Sequence, residues 1–406
     1  MINLYSENQH LKAEIKISGS KSETNRLLIL KAIFPDLIIK NKSDSDDSQV
    51  LIKALANKEK TIDIGHAGTA MRFLTAYFSF QNQEKILTGS ERMQNRPIKI
   101  LVEALQELGA NIQYQKKEGF PPLWIKNGKI IQNKIEIQAD VSSQYISALI
   151  LIGSAFPQGL EIILKGKVIS KPYIEMTLAL LTEIGISNRF QKNKIQIFPA
   201  ENPINKTILV ESDWSSASYF YSLAALSKTA EIRLSYFKEN SIQGDKKVVD
   251  FYKYFGVETS FEENSILLRK KENPILPKNF KADLTDFPDL AQTLAVTCLG
   301  LKIPFKLSGL STLRIKETDR LQALQTELSK FGAAIKIDKN TLLGKPPAVL
   351  KENIEISTYQ DHRMAMAFAP LALKTSLKIK NPEVVSKSFP TFWEELKKCQ
   401  LKSAVV

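Results

Sequence analysis

Cationic, hydroxyl and carboxyl side chains stand at the start of six apolar segments of this chain. The six starts are Ser20-Lys21-Ser22 with Arg26, Gly68-Thr69 with Arg72, Ser142-Ser143-Gln144, Ser215-Ser216 with Ser218, Asp289, and His362-Arg363. Backbone N–H groups and the helix dipole favour an anion at a helix start, and a lysine or arginine there adds a full charge. The pattern therefore predicts sites for phosphates, carboxylates and hydroxyl-bearing ligands.

Three further stretches carry groups of the same kind. They are Arg96 directly before Pro97, Ser170 and Tyr173 in ISKPYI, and Lys316, Glu317 and Arg320 in LRIKETDR. Proline is favoured as the first residue of a helix, so Arg96 is expected to lie at a helix start. A lysine, a glutamate and an arginine within one turn can supply both charge and proton transfer.

The six apolar segments are expected to be helices that are buried on all sides, because no polar face interrupts them. From the third to the sixth segment, the starts at Ser142, Ser215, Asp289 and His362 are spaced 73, 74 and 73 residues apart. This period is longer than that of a solenoid repeat and close to the size of a small folding unit. The starts of the buried helices should converge, and they should bring their reactive groups with them.

A second series of segments runs in phase with the first. These segments are amphipathic, end near a glycine and lead into β-like runs; the glycines are Gly109, Gly185, Gly256 and Gly332. Glycine just past a periodic apolar stretch is the expected end of a helix. Each repeat thus holds one buried helix, one half-exposed helix and several strands.

Composition indicates a large globular enzyme. With 406 residues, 43% of them hydrophobic, the chain can form two domains with three repeats each. The two cysteines form no CxxC pair, the three histidines are too few for a metal cluster, and we expect neither a metal nor a cofactor. The first residues lack the pattern of a signal peptide and no apolar run is long enough for a membrane span, so a cytoplasmic protein is expected.

The ordered motifs of the chain resemble those of one enzyme family. GSKSETNR, SDDS, AGTAMR, LTGS followed by RPI, VSSQ, SKPYI, SSASYF, NSIQGD, KETDR and DHRMAM are similar to the motif set of the 5-enolpyruvylshikimate-3-phosphate (EPSP) synthases, from near residue 15 to residue 393. The resemblance implies a two-domain inside-out α/β barrel with six βαβαββ units, three per domain. It implies one domain of residues 19–211, a second of residues 1–18 plus 212–406, and an active site in the cleft between them.

The reaction implied by the resemblance moves the enolpyruvyl group of phosphoenolpyruvate to the 5-hydroxyl of shikimate 3-phosphate and releases phosphate. We expect these two small anions as partners, a monomer, and no nucleic acid or membrane. Carried over by position, the residues that bind shikimate 3-phosphate are Lys21, Ser22, Arg26, Ser142, Ser143, Gln144, Ser170, Tyr173, Asp289 and Lys316. Those that bind phosphoenolpyruvate are Lys21, Gly68, Arg96, Gln144, Arg320, Arg363 and Lys387.

The same resemblance implies roles in proton transfer. Asp289 is expected to be the base for the 5-hydroxyl, while Glu317 and Lys21 handle the methylene proton and the developing charge. His362 is an alternative proton carrier, and an orienting hydrogen-bond role for it is equally consistent with a histidine at a helix start.

Three positions differ from the family pattern. His66 stands where asparagine is common, and Thr312 replaces an asparagine before KETDR. The lysine that closes over phosphoenolpyruvate aligns with Glu383, and Lys387, about one helical turn along, is expected to substitute for it.

Two other functions are compatible with parts of the sequence. UDP-N-acetylglucosamine enolpyruvyl transferase shares the fold and the donor, but it carries a reactive cysteine on a mobile loop, whereas both cysteines here fall in predicted helices. The formal charge of +13 would also suit a nucleic-acid binder. The basic residues are dispersed, however, and lack the interleaved aromatic residues of such surfaces.

Overall fold

Two compact units make up the chain. The computed structural model describes residues 1–140, 142–201 and 204–405. One unit, called here the continuous unit, is Gly19–Val210; the other, the discontinuous unit, combines Met1–Ser18 with Glu211–Val406. Glu211 thus belongs to the discontinuous unit, whereas the sequence placed it at the end of the continuous one.

The described residues form thirteen α-helices and twenty-two strands. In chain order the helices are α1 (Lys21–Ile33), α2 (Asp46–Ala56), α3 (Gly68–Phe80), α4 (Glu91–Gln94), α5 (Lys99–Leu108), α6 (Ser143–Gly153), α7 (Lys171–Glu183), α8 (Trp214–Leu226), α9 (Val248–Lys253), α10 (Ala291–Gly300), α11 (Arg320–Lys330), α12 (His362–Phe368) and α13 (Phe392–Lys398). The strands are β1 (Ile2–Tyr5), β2 (His10–Ile15), β3 (Ile38–Lys40), β4 (Thr61–Asp63), β5 (Lys85–Thr88), β6 (Asn111–Tyr114), β7 (Leu123–Lys126), β8 (Lys134–Gln138), β9 (Leu160–Lys165), β10 (Asn188–Gln191), β11 (Lys194–Ile197), β12 (Thr207–Leu209), β13 (Thr229–Ser235), β14 (Val257–Glu262), β15 (Ser265–Lys270), β16 (Phe280–Asp283), β17 (Phe305–Ser308), β18 (Ala334–Ile337), β19 (Leu342–Lys345), β20 (Ile354–Ile356), β21 (Leu377–Ile379) and β22 (Lys402–Val405).

Each unit contains three sheets, and the five sheets that have four strands share one topology. The orders are β4-β5-β7-β6, β10-β11-β9-β8 and β12-β3 in the continuous unit, and β14-β15-β13-β2, β16-β17-β19-β18 and β20-β21-β1-β22 in the discontinuous unit. In each of these five sheets two neighbouring strands are parallel, the second of the two follows a buried helix in the chain, and the other two strands pair antiparallel. The predicted βαβαββ repeat is therefore confirmed. Among the described residues, however, the repeat that contains α1 and α2 has only the two strands β12 and β3.

The six apolar segments form buried helices, as the sequence predicted. All ten residues of α10 are buried, and so are twelve of the thirteen in α8. Helices α8 and α10 pack closely enough that a Cβ at Gly300 would lie 2.5 Å from Leu226 Cδ2 and 3.0 Å from Leu371 Cδ1. Because residue 300 is glycine, the C-terminal ends of α8 and α10 and the turn after α12 can pack together. The starts of the same segments lie at the opposite end of this bundle.

The amphipathic series lies outside the core helices and ends as predicted. Helix α5 ends at Gly109, whose φ of 113° is in the left-handed region that favours glycine. No helix in the described part of the chain is long and apolar enough to cross a membrane.

Candidate active-site clusters

Arg26 is a deeply buried cation at a helix start of the continuous unit. It lies one turn into α1 and is 3% exposed. Its guanidinium donates to Thr177 Oγ1 at 2.7 Å, to Ser147 Oγ at 3.0 Å, and to the carbonyls of Ser22 at 2.8 Å and Tyr173 at 3.2 Å. All four acceptors are neutral. Burial lowers the pKa of Arg26 to about 10, and one of its five N–H donors remains for a ligand.

Lys21 and Ser22 open α1 behind the N-cap Ser20. The ammonium of Lys21 lies 3.1 Å from Asp47 Oδ2 on α2, and both side chains are largely buried. Lys21 therefore has a carboxylate partner that fixes its position at the helix start. Asp47, in the SDDS motif, was not among the site residues predicted from the sequence.

Gly68 and Arg96 lie together at the start of α3. The N-cap of this helix is Ala67, whose side chain cannot accept a hydrogen bond. A Cβ added to Gly68 would lie 2.7 Å from Arg96 Cζ, so only glycine lets the guanidinium approach the helix start this closely. Arg96 is 7% exposed, forms no ion pair with a described residue, and its Nε has no described hydrogen-bond partner. An uncapped helix start beside an unpaired guanidinium is suited to a phosphate.

Hydroxyl and amide groups surround the start of α6 in the same unit. Ser142 caps α6, Ser143 is buried, and the Gln144 amide donates to Thr69 Oγ1 on α3 at 3.2 Å. Ser170, at the start of α7, is buried with a φ of 51°, which is uncommon for a residue with a side chain. Tyr173, half-buried, follows it in the first turn of α7.

Asp289 is the centre of a charged cluster in the discontinuous unit. Its Oδ1 lies 3.0 Å from Arg320 Nη1 and 3.6 Å from Lys316 Nζ, and its Oδ2 lies 2.9 Å from Arg363 Nη2. Burial by itself would raise the pKa of Asp289, but the charges of Arg363, Lys316 and Arg320 outweigh burial and hold the pKa well below its usual range. Asp289 lies in a 3-10 turn before α10, and its carboxylate accepts hydrogen bonds from Arg320 and Arg363 rather than capping the helix.

Arg320 contacts three carboxylates. Its Nε and Nη2 bind Asp361 at 2.7 and 3.4 Å, Nη2 also binds Glu317 at 2.8 Å, and Nη1 binds Asp289. Burial would lower the pKa of Arg320, but these carboxylates raise it above its ordinary value. Asp361 is fully buried and also caps α12 by accepting from Arg363 N at 2.9 Å. This aspartate was not predicted as a site residue, although an aspartate just before an apolar helix is an N-cap signal.

Glu317 lies between Arg320 and a second cation. Its Oε1 is 3.4 Å from Lys387 Nζ, and Lys387 is 8% exposed. Glu383, which aligns with the lysine of the family pattern, is exposed on the same 3-10 turn. Of these two positions, the structure places Lys387 in the cluster.

Burial lowers the pKa of Lys316 in spite of the nearby carboxylate of Asp289.

Three further residues named from the sequence have the following places. His362 is the first residue of α12, is 2% exposed, and its Nδ1 lies 3.8 Å from Asp361 Oδ1. His66 is exposed before α3, with Nδ1 2.9 Å from Ser90 Oγ. The Thr312 hydroxyl is buried and has no described hydrogen-bond partner.

Neither cysteine lies in a reactive setting. Cys298 is buried within α10, and Cys399 is buried directly after α13. Burial raises the pKa of both thiols, that of Cys399 to about 12. A thiolate is the reactive form of cysteine, so these two side chains are poor nucleophiles. The described residues contain no group of three or more His, Cys, Asp or Glu arranged to hold a metal ion.

The chain matches one family by sequence and shares its fold with solved structures. The sequence profile of "EPSP synthase (3-phosphoshikimate 1-carboxyvinyltransferase)" matches residues 36–396. A 3-phosphoshikimate 1-carboxyvinyltransferase of Bacteroides fragilis is 45% identical, and the alignment covers 97% of each chain. One of Histophilus somni is 36% identical over 96% of each chain. The solved EPSP synthase of Acinetobacter baumannii has the same fold, with a TM-score of 0.78 at 20% identity over 100% of this chain and 99% of that one. The enolpyruvyl transferase NikO of Streptomyces tendae has a TM-score of 0.75 at 12% identity, over 99% and 98% of the two chains.

Proposed function

This chain belongs to the EPSP synthase family, and we propose that it transfers the enolpyruvyl group of phosphoenolpyruvate to the 5-hydroxyl of shikimate 3-phosphate. Inorganic phosphate is the second product. The reaction is an addition followed by an elimination, in the shikimate pathway to the aromatic amino acids. Both substrates are small anions that carry a phosphate and a carboxylate, so the protein must supply several cations and at least one base.

The observation that carries the proposal is the cluster around Asp289. Four cations, Arg320, Arg363, Lys316 and Lys387, lie within ion-pair distance of Asp289 or Glu317. Both carboxylates keep a small exposed fraction, 14% of the side chain, which a fully buried structural pair would not need. Bases and cations in one accessible cluster are what an addition to an anionic enol requires.

Ligand binding would change the basicity of Asp289. In the free protein the neighbouring cations keep Asp289 ionised, and because they lower its pKa they also make it a weak base. When the carboxylate of phosphoenolpyruvate binds Arg320 and Arg363, it shares their charge and the pKa of Asp289 rises towards its ordinary value. Asp289 then becomes able to take the proton of the 5-hydroxyl in the complex where that transfer is needed.

The methylene proton needs a second group. As the 5-oxygen bonds to C2 of phosphoenolpyruvate, C3 accepts a proton, for which Glu317 and Lys21 are the candidates. In the elimination, C3 gives up a proton, the C2–O bond to the phosphate breaks, and the double bond forms again. Glu317 is the candidate for both transfers because its carboxyl group, between Arg320 and Lys387, can give up a proton to C3 and take one back.

Apart from Lys21, the groups of the continuous unit are suited to binding the two anions. The uncapped start of α3 with Arg96 suits the phosphate of phosphoenolpyruvate. Ser142, Ser143 and Ser170 offer neutral donors for the phosphate of shikimate 3-phosphate. Ser22 and the remaining N–H of Arg26 are left for its carboxylate.

The alternative acceptor, UDP-N-acetylglucosamine, is disfavoured by the thiols. The reactive cysteine expected for that enzyme has no counterpart here, because Cys298 and Cys399 are both buried with raised pKa values.

The function is tested by phosphate release from phosphoenolpyruvate with shikimate 3-phosphate, with UDP-N-acetylglucosamine, and with no acceptor. We expect release only with shikimate 3-phosphate. Release with the nucleotide sugar alone would support the alternative, and no release with either acceptor would overturn the proposal.

A further inference from the structure

A second buried aspartate lies beside the Asp289 cluster and has no role in the reaction described above. Asp245 stands in a 3-10 turn, Gly244–Lys247, and is 5% exposed. Its Oδ2 accepts a short hydrogen bond from Ser215 Oγ on α8. Its Oδ1 is buried with no described hydrogen-bond partner, and no described lysine or arginine is paired with it. A carboxylate with one hydrogen bond and no paired cation is costly to bury in its ionised form.

Ser215 connects Asp245 to the cluster. Arg363 Nη2 donates to Ser215 Oγ at 3.3 Å and to Asp289 Oδ2 at 2.9 Å. The Ser215 hydroxyl donates a hydrogen bond to Asp245, and its oxygen lone pairs therefore face the guanidinium of Arg363. The result is a continuous path of hydrogen bonds from Asp245 through Ser215 and Arg363 to the carboxylate of Asp289.

Asp245 is surrounded by charges of both signs. The groups that face it are Asp289 from the turn before α10, Arg363 from α12, and Asp213 at the N-cap of α8. Burial, and then the charge of Asp289, raise the pKa of Asp245 to about 7, against the attraction of Arg363. A small change in the charge of the cluster can therefore change the protonation of Asp245 near neutral pH.

We propose that Asp245 is a positioning residue for phosphoenolpyruvate: it holds Arg363 through Ser215, and its charge sets how strongly that guanidinium binds an anionic substrate. The inference rests on the proposed function. Neutral Asp245 leaves the charge of Arg363 available to the incoming carboxylate. Ionised Asp245 competes for Arg363 and repels the substrate, so substrate binding favours proton uptake at Asp245.

The first test is the pH dependence of the KM for phosphoenolpyruvate in the wild-type protein and in Asp245→Asn. Asparagine keeps an acceptor for Ser215 but cannot ionise. We expect the wild-type KM to rise about fivefold as the pH increases from about 6 to 8, the scale of one like charge near a partly buried site, and the rise to be absent in the variant. Phosphoenolpyruvate ionises in the same way in both assays, so a difference between the two pH profiles is due to residue 245. Asp250→Asn, at an exposed position of α9, is the matched control and should keep the wild-type profile.

The second test asks whether Asp245 acts through Ser215. Ser215→Ala removes the link, so Asp245→Asn should change the KM for phosphoenolpyruvate at pH 8 less in that background than in the wild type. The KM for shikimate 3-phosphate should change little in either variant. Equal effects in both backgrounds, or a wild-type pH profile in Asp245→Asn, would overturn the inference. If Asp245→Asn does not fold, Ser215→Ala replaces it: a pH profile of the KM for phosphoenolpyruvate identical to that of the wild type would also overturn the inference. A wild-type protein that releases no phosphate would instead refute the proposed function.

Discussion

Arg26 and Arg320 occupy comparable places in the two units but are held in opposite ways. Each lies near the start of a helix, is almost fully buried, and gives four of its five N–H groups to the protein. The partners of Arg26 are two hydroxyls and two carbonyls, and its pKa is lowered to about 10. The partners of Arg320 are three carboxylates, and its pKa is raised.

The same division holds for the wider clusters. Among Lys21, Arg26 and Arg96, only Lys21 is paired with a carboxylate. In the discontinuous unit, Asp289, Glu317 and Asp361 accept from nearly every cation of the cluster. A cation with only neutral partners can pair its full charge with a ligand. A cation already paired with a carboxylate must weaken that ion pair when an anionic ligand binds. The first arrangement favours binding, and the second couples binding to proton transfer.

The largest effect is expected from Arg320→Ala. It leaves the fully buried Asp361 without its cation, and removing one partner of a buried pair costs about 3–5 kcal/mol of the free energy of unfolding. Arg26→Ala leaves only neutral acceptors unpaired and should cost about 1–3 kcal/mol. Denaturant unfolding of both variants measures the difference. Arg314→Ala, which breaks a more exposed pair with Asp319, is the control and should cost less than about 1 kcal/mol. Equal losses for Arg26 and Arg320 would contradict the comparison.

Turnover is the measure for Asp289→Asn. Asparagine keeps the shape of the side chain but removes the base, so we expect kcat to fall at least about a hundredfold. Glu317→Gln should also slow turnover while it spares substrate binding. Steady-state phosphate release with both substrates in excess gives the values. Near-normal turnover in Asp289→Asn would move the base elsewhere, and His362 would be the next residue to test.

In the continuous unit, Arg96→Ala should act on binding alone. The variant removes an unpaired guanidinium from the start of α3, so the KM for phosphoenolpyruvate should rise about tenfold while kcat changes much less. Binding of shikimate 3-phosphate should remain near normal. Arg92→Ala, on the exposed side of the neighbouring α4, is the matched control. If both substrates weaken equally, Arg96 has a structural role.

The smallest effect concerns stability in acid. The depressed pKa of Asp289 means that its ionised form stabilises the fold, and this contribution is present above the unfolded pKa of about 3.9 and lost as the pH falls through the folded value. The free energy of unfolding of the wild type should therefore exceed that of Asp289→Asn at pH 7, by on the order of 1 kcal/mol, and the difference should shrink steadily as the pH falls below about 3.9. A constant difference across this range would show that the Asp289 charge does not stabilise the fold.

Much of the architecture follows from local sequence. The absence of a polar face predicted the buried helices, and the glycine after LVEALQEL predicted the end of α5 at Gly109. These signals depend on side chains within one or two turns of one another, so a single sequence is enough to read them. The repeat likewise predicted that the helix starts would meet, and within the discontinuous unit Arg363 does join Ser215 to Asp289.

The sequence could not show which group holds which. Arg26 and Thr177 are 151 residues apart, and Arg320 and Asp361 are 41 apart. The missing partners, Asp47, Asp245 and Asp361, all lie in motifs that were recognised, yet their contacts depend on how the helices pack. The sequence by itself determined that cations and carboxylates stand at the helix starts, because local periodicity and capping place them there. Only the tertiary structure decided their pairing, because the charge and pKa of a buried group are set by neighbours that are distant along the chain.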